Sequence, residues 1–265
     1  MAGFKGFNVK YPEYEVITPQ TKNSFFVRSL TVQEEEHLKG SLVTPTKVTD
    51  HLNQCLFDLL VKKPDKIKDF SSFLKSVTLK DRDALLYGLY HITYEEIRNY
   101  DITCSACQKD YSVSTKASDT FDILPYEGKE PILSKRTSVP LKLTTGVTAI
   151  IKQPTLFDEV EALRELSSRP GSTIDVITDI LIIDQFTQTG EAEKEPVIYD
   201  DRVDILDAYL SLPSKDKKLI FETYKEEFGK YAVSLKMRSF CQHCSNEEVI
   251  TINMVNNFFR ALYGE

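Results

Sequence analysis

Five cysteines stand in the 265-residue chain, and four of them form two Cys-x-x-Cys pairs, Cys104 with Cys107 and Cys241 with Cys244. Two sulfurs three positions apart at a hairpin tip can turn toward one ion, and two such tips supply the four thiolates of a closed tetrahedral zinc site. Each pair sits between strand-like runs. Tyr100-Asp101-Ile102-Thr103 and Tyr111-Ser112-Val113 flank the first, and Val233 to Phe240 and Val249-Ile250-Thr251-Ile252 flank the second. A redox pair begins a helix, where the dipole lowers the thiol pKa, and neither pair here does so. Catalytic zinc keeps an open position beside three protein ligands. Four thiolates close that shell and leave no place for His243, which lies inside the second knuckle. The pattern predicts one structural Zn2+ ion per chain on Cys104, Cys107, Cys241 and Cys244, with the pairs meeting within one chain or between two. Cys55 falls on an apolar helix face and reads as a core thiol.

Other chemistry is missing. The 10 glycines form no phosphate-cradling loop, and there is no GxSxG elbow or HExxH helix. His37, His51, His91 and His243 are scattered without partners at catalytic spacing. Asp200-Asp201 precedes an apolar helix and reads as a capping pair. The expectation is a protein that is not an enzyme.

The elements that must position the cysteines recur. Phe26 to Glu35 resembles Ile150 to Glu159: a short apolar strand, a basic residue, then a helix opened by Thr31 with Glu34, or by Thr155 with Asp158. Lys80-Asp81-Arg82 matches Lys215-Asp216-Lys217, each preceded by a Thr or Ser able to cap and followed by an apolar helix that leads to a strand and a CxxC pair. The interval from Thr155 to Cys241 exceeds that from Thr31 to Cys104, and the polar insert Thr187 to Pro196 absorbs most of the excess. Between the landmarks, Val48, Leu52, Cys55, Leu56, Leu59 and Leu60 mark one helix face. Ile174, Ile177, Leu181 and Phe186 are expected to mark its counterpart, and Arg136 to Gln153 reads as a hairpin turning at Thr144-Thr145-Gly146.

The fold expected is a mostly helical α+β protein of two diverged repeats, each strand, helices and CxxC hairpin, sharing a zinc-ribbon-like four-cysteine site. Residues 1–11 form an N-terminal arm, 12–124 the first repeat, 125–136 a linker and 137–265 the second repeat with a C-terminal helix. In that last helix Val255, Phe258, Phe259 and Leu262 share a side. Such a stripe docks on its own core or plugs a partner groove, which makes Phe258, Phe259 and Leu262 candidate partner-binding residues. A hydrophobic fraction of 41% with 28% charged residues suits an ordinary globular protein. The net charge of -7 argues against nucleic-acid binding. No stretch has the length and apolarity of a membrane span, the N-terminus lacks the order of a signal peptide, and cysteines kept in a reducing cytoplasm favour metal over disulfides.

Taken together, Thr78-x-x-Asp81-Arg82, Leu85-Leu86, Tyr94, a CxxC hairpin, and a second CxxC hairpin running into Phe258-Phe259 resemble the baseplate hub proteins of T4-like contractile-tailed bacteriophages, from about Phe25 to the end. The resemblance implies a viral product in the host cytoplasm, either a component of the central hub in the virion's tail baseplate or an assembly factor that leaves before the particle matures. Its implied partners are other hub and tail proteins, and such proteins are not known as enzymes. The different-class alternative is a zinc-ribbon protein that binds nucleic acid or the transcription machinery.

Overall fold

The computed structural model describes residues 10–40, 45–94, 97–116, 122–123, 138–188, 196–229, 233–234, 236–251 and 254–263. Those residues form nine helices and five small sheets, a mixed α and β architecture in which strands weigh more than the sequence led us to expect. The linker expected at 125–136 and most of the N-terminal arm lie outside the described residues.

In the first half, β1 (Glu13–Ile17), β2 (Ser24–Arg28) and β3 (Leu60–Lys62) make an antiparallel sheet in that order. Helices α1 (Val32–Gly40), α2 (Pro45–Asp58), α3 (Phe70–Ser76) and α4 (Leu79–Thr93) surround it. Helix α4 lies so close on β1 that Gly88 has no room for a Cβ beside Val16 and Tyr14. Phe25, Val27, Leu52, Leu56, Phe73, Leu85 and Tyr90 fill the core between them.

The second half is built on a sheet of four strands. Strands β7 (Ser138–Lys142) and β8 (Thr148–Lys152) form the expected hairpin, turning where Gly146 takes φ +85°. β9 (Ile183–Gln188) and β10 (Val197–Tyr199) extend it to a four-stranded sheet, order β10-β9-β8-β7. Helices α5 (Leu156–Leu166), α6 (Ile174–Ile180), α7 (Arg202–Ser211) and α8 (Ser214–Phe228) cover it. Phe186 was expected on a helix with Ile174, Ile177 and Leu181. Instead α6 ends with Leu181 as its C-cap, and Phe186 points into the core from β9, where β-branched Ile182 and Ile183 favour extended backbone.

The capping signals read from sequence are realised at all but one of the helix starts. Thr31 and Thr155 each accept a backbone N–H from the acidic residue three positions on, Glu34 and Asp158, whose carboxylates accept in return. Arg28 pairs with Glu34 as Lys152 pairs with Asp158, in matching places. Asp201 caps α7 through Val203 N–H. At α8 the cap position is Pro213, without a side-chain bond, and Ser214 is already helical.

A second matched pair has more consequence. Asp81, third residue of α4, accepts N–H bonds from Gln20 and Thr21 in the turn after β1, at 2.9 and 3.3 Å. Asp216, third residue of α8, accepts from Thr144 and Thr145 N–H in the turn after β7, at 2.9 and 3.2 Å. Desolvation pushes Asp81 up to about 6 despite its hydrogen bonds to Thr21 and Gln20. For Asp216 the Thr144 and Thr145 donors outweigh desolvation and hold the carboxyl below its ordinary range. The two clamps therefore respond oppositely to acid. Between its ordinary value of 3.8 and about 6, the folded chain keeps a proton on Asp81 that the unfolded chain has given up, so stability falls as pH rises through that window. Asp216 contributes stability above its ordinary value of 3.8 and loses it as pH falls through its lower folded value. Urea unfolding across pH should show Asp81→Asn flattening the stability curve between about pH 4 and 6, and Asp216→Asn flattening only the acid limb. Equal effects of both variants in both windows would contradict this assignment.

The two cores meet at the start of α4 and α5. Leu156 N–H bonds to Val77 O and Leu79 N–H to Pro154 O, and Arg82 forms a bidentate ion pair with Glu159. Beside them Gln20 donates to Gln153 Oε1 and Phe228 O and accepts from the Thr78 hydroxyl, all buried. The C-terminal helix α9 (Met254–Tyr263) crosses back and packs against α4. Phe258 and Leu262 are buried in the first core and Phe259 packs against its margin. A partner contact by these three would require α9 to leave that core. Phe258→Ala is expected to destabilise the fold by about 3–5 kcal/mol in urea titration, the range for a fully buried phenylalanine. A loss under about 1 kcal/mol would mean that α9 is not part of the core.

Candidate metal centre

Two ribbons carry the cysteines. β4 (Ile97–Thr103) pairs in register with β5 (Asp110–Lys116), and β12 (Lys236–Phe240) pairs with β13 (Glu247–Thr251). The remaining short strands, β6 (Asp122–Ile123) and β11 (Val233–Ser234), pair with each other just before the second ribbon. Each CxxC occupies the tip of its ribbon, as the flanking runs of alternating residues predicted.

The two tips have the same backbone. Gln108 N–H bonds to Cys104 O at 2.9 Å and Cys104 N–H to Lys109 O at 3.0 Å. In the second tip Ser245 N–H bonds to Cys241 O at 2.8 Å and Cys241 N–H to Asn246 O at 2.9 Å. To close this turn, the residue after the second cysteine adopts the left-handed region, with φ +58° at Gln108 and +60° at Ser245. That conformation leaves both sulfurs of a pair on one side of the loop. Neither Gln nor Ser announces it, so these two positions were invisible in the sequence.

The tips face each other within one chain. The four sulfurs all lie within 4.8 Å of one another. Cys104 Sγ is 3.6 Å from Cys244 Sγ, and Cys107 Sγ is 3.7 Å from Cys241 Sγ. These separations are far too long for disulfide bonds, near 2.05 Å. They match the edge of a tetrahedron with metal–sulfur bonds of about 2.3 Å, which is about 3.8 Å. The donor set and its shape thus fit a tetrahedral, thiophilic divalent ion, and zinc and iron are the metals that take four thiolates.

Electrostatics within the cluster agree with that fit. Desolvation raises the Cys241 thiol, but N–H groups of His243 and Cys244 and the neighbouring thiols bring it down to about 6. Asn246 N–H lowers Cys244, yet desolvation and the three other sulfurs push it up to about 12. Four sulfurs in one cage accept a first negative charge readily and further charge only with a cation among them. Cys104 and Cys241 are buried, Cys107 half-buried and Cys244 exposed. Cys55 lies apart on α2, where burial pushes its thiol up to about 12, as suits an inert core cysteine.

Contacts outside the sulfurs lock the ribbons together. Ser105 donates both its N–H and its hydroxyl to Glu248, at 2.8 and 2.7 Å. Tyr111 and Ser239 share a buried hydroxyl hydrogen bond of 2.7 Å, and the His243 ring lies 3.2 Å from Asp110 O. His243 therefore braces the opposite ribbon through its Nε2 edge. Ile102, Tyr111 and Val113 pack around the cysteines as a third small core. Glu248 and Tyr111 were not singled out from sequence, because nothing in their local pattern marks a contact 128 to 143 positions away.

Among the described residues no other group of histidine, cysteine and carboxylate side chains converges in this way. No described helix is long and apolar enough to cross a membrane. No curated protein and no solved structure matches the chain. A family profile described as the T4 bacteriophage base plate protein matches residues 11–260. Among the described residues that match takes in all five sheets, both cysteine ribbons and all nine helices but the last residues of α9, and the chain belongs to the family of T4 bacteriophage base plate proteins.

Proposed function

We propose that this protein is a non-enzymatic part of the central hub of a contractile tail baseplate, as a resident component or as an assembly factor. In this reading it acts in the host cytoplasm, and one structural zinc ion on Cys104, Cys107, Cys241 and Cys244 fixes its shape. The observation that carries the reading is the family match over residues 11–260, whose name places relatives in the baseplate. The closed four-sulfur cage supports the structural role of the metal, since it leaves no coordination position for a substrate.

The chain is read as an internal duplication, residues 12–124 and 137–265, with the linker between them. Support comes from the paired turn clamps of Asp81 and Asp216, the paired caps of Thr31 and Thr155, and the identical hydrogen bonding of the two cysteine tips. A duplicated unit whose ends are tied through one ion presents two related faces to the proteins around it. Its partners are then other tail proteins.

The test is quantitative mass spectrometry of purified tails and of hub intermediates from infected cells. The chain should appear in at least one of them at a fixed ratio to the hub proteins. Its absence from both would overturn the hub reading. Its presence in intermediates alone would identify an assembly factor.

A further inference from the structure

The first sheet has three strands and the second has four, and the extra strand is β10. Among the described residues it stands at the edge of its sheet, paired only with β9. Exposed edges template further strand pairing, and proteins usually blunt them with charge, proline or a bulge. The opposite edge of the same sheet is so protected, with Pro140 in the middle of β7. β10 is short and follows Pro196, but none of its own residues is charged or proline: they are Val197, Ile198 and Tyr199, of which Val197 is 39% and Ile198 52% exposed.

Beside this edge, between β9, β10 and α7, lies an open cleft of about 290 Å³. Its walls are Phe186, Tyr199 and Leu212, and its rim carries Asp204 and Asp207. These two acids are three positions apart on one face of α7, and both are exposed. Neither has a hydrogen-bond or ion-pair partner among the described residues. A cleft of that size holds one or two long side chains and is small for a free ligand. An apolar floor with an acidic rim suits a lysine or arginine, whose stem packs on the aromatic rings while the cation reaches the carboxylates.

We propose that the free edge of β10 accepts an extended basic segment of a partner tail protein, which adds a fifth strand and seats a lysine or arginine in the cleft between Tyr199 and Asp204/Asp207. Main-chain bonds to β10 would supply affinity, and the alternate side chains entering the cleft would supply selectivity. Charge complementarity selects the partner: unpaired acids line the site, on a chain of net charge -7. The proposal rests on the reading that the chain assembles with other tail proteins, but it does not involve the cysteine cage.

The probe is a capped, fluorescent octapeptide alternating lysine and valine, titrated by anisotropy against the full-length protein. Saturable binding is expected, lost when the lysines are replaced by glutamates and weakened at least about fivefold by Asp204→Asn combined with Asp207→Asn. Two further peptides carry N-methyl groups on the lysine amides or on the valine amides. A strand bonds its neighbour through alternate residues, so one methylated peptide should bind and the other fail. Equal binding by both, or unchanged binding by the double aspartate variant, would overturn the proposal. So would dimerisation in sedimentation that Ile198→Lys abolishes, because a second copy would then own the edge. Failure of the peptide leaves the hub reading standing, and absence from tails leaves the peptide result unchanged.

Discussion

Purified protein is expected to carry close to one zinc ion per chain, and removing it should release the two cysteine ribbons from each other. The four sulfurs form a cage whose edges of 3.6 and 3.7 Å suit a tetrahedral ion. Without an ion, the cage must hold partly charged thiols in contact. Structural zinc contributes on the order of 10 kcal/mol in small zinc peptides at neutral pH. Here part of that figure is carried by bonds that remain, such as Ser105 to Glu248 and Tyr111 to Ser239. The ribbons have a small core of their own, so their loss is local first. Hydrogen exchange should therefore speed up over 97–116 and 236–251 in metal-free protein, while α4 and β8 stay protected. Cys107→Ser or Cys241→Ser should reproduce the effect and lower the thermal midpoint by roughly 10 °C, given about 2–4 °C per kcal/mol for a domain of this size. Metal analysis of the same samples separates zinc from iron, and iron on four thiolates would also colour the protein. Metal-free protein with unchanged exchange in both ribbons would sink the clasp.

The cysteines, caps and hairpin were legible because each is a local signal. A CxxC at a hairpin tip, a Thr with an acid three positions on, and a glycine in a turn each state their own geometry. The limits were equally physical. Phe186 sits five residues beyond Leu181, a spacing that a helix and a helix-to-strand break both allow, and only the tertiary sheet decides between them. The apolar stripe of Phe258, Phe259 and Leu262 showed that α9 must bury a face. It did not show that the face closes the first core, more than 160 positions away in the chain, beside α4. The polar insert after Thr187 read as a loop, yet it leads into β10, whose pairing with β9 depends on a register that no short window displays. The turn clamps of Asp81 and Asp216 looked like ordinary helix-start acids, because a sequence shows a donor-hungry helix end but not a second turn docked on it.

Replacing Glu159 by alanine is expected to be among the most damaging single substitutions in this protein. Its carboxylate meets the Arg82 guanidinium in a bidentate pair, with side-chain exposures of 16% and 9%. Burial lowers the Arg82 pKa, and the charge and hydrogen bonds of Glu159 together with the charge of Asp83 raise it by more, so the cation is held by its acidic neighbours. Among the described residues Arg82 Nε is already without a hydrogen-bond partner. Deleting Glu159 leaves a buried charge without its hydrogen-bonded partner and with only the nearby charge of Asp83, and breaking such a pair costs about 3–5 kcal/mol in comparable sites. Arg82→Met is expected to cost less, since the carboxylate it leaves is the more exposed partner, at 16% against 9%. The double variant Arg82→Met with Glu159→Leu should recover most of the loss, because an apolar pair of similar volume needs no desolvation. A double-mutant cycle by urea unfolding reads the coupling directly, expected at about 2 kcal/mol or more. Single losses under about 1 kcal/mol would show the pair to be solvated and marginal. The pair joins α4 of the first core to α5 of the second, so stability is only half of what it controls. If the apolar double variant is as stable as the parent but unfolds in two steps, the ion pair serves to couple the cores, and the chain uses charge there to act as one body.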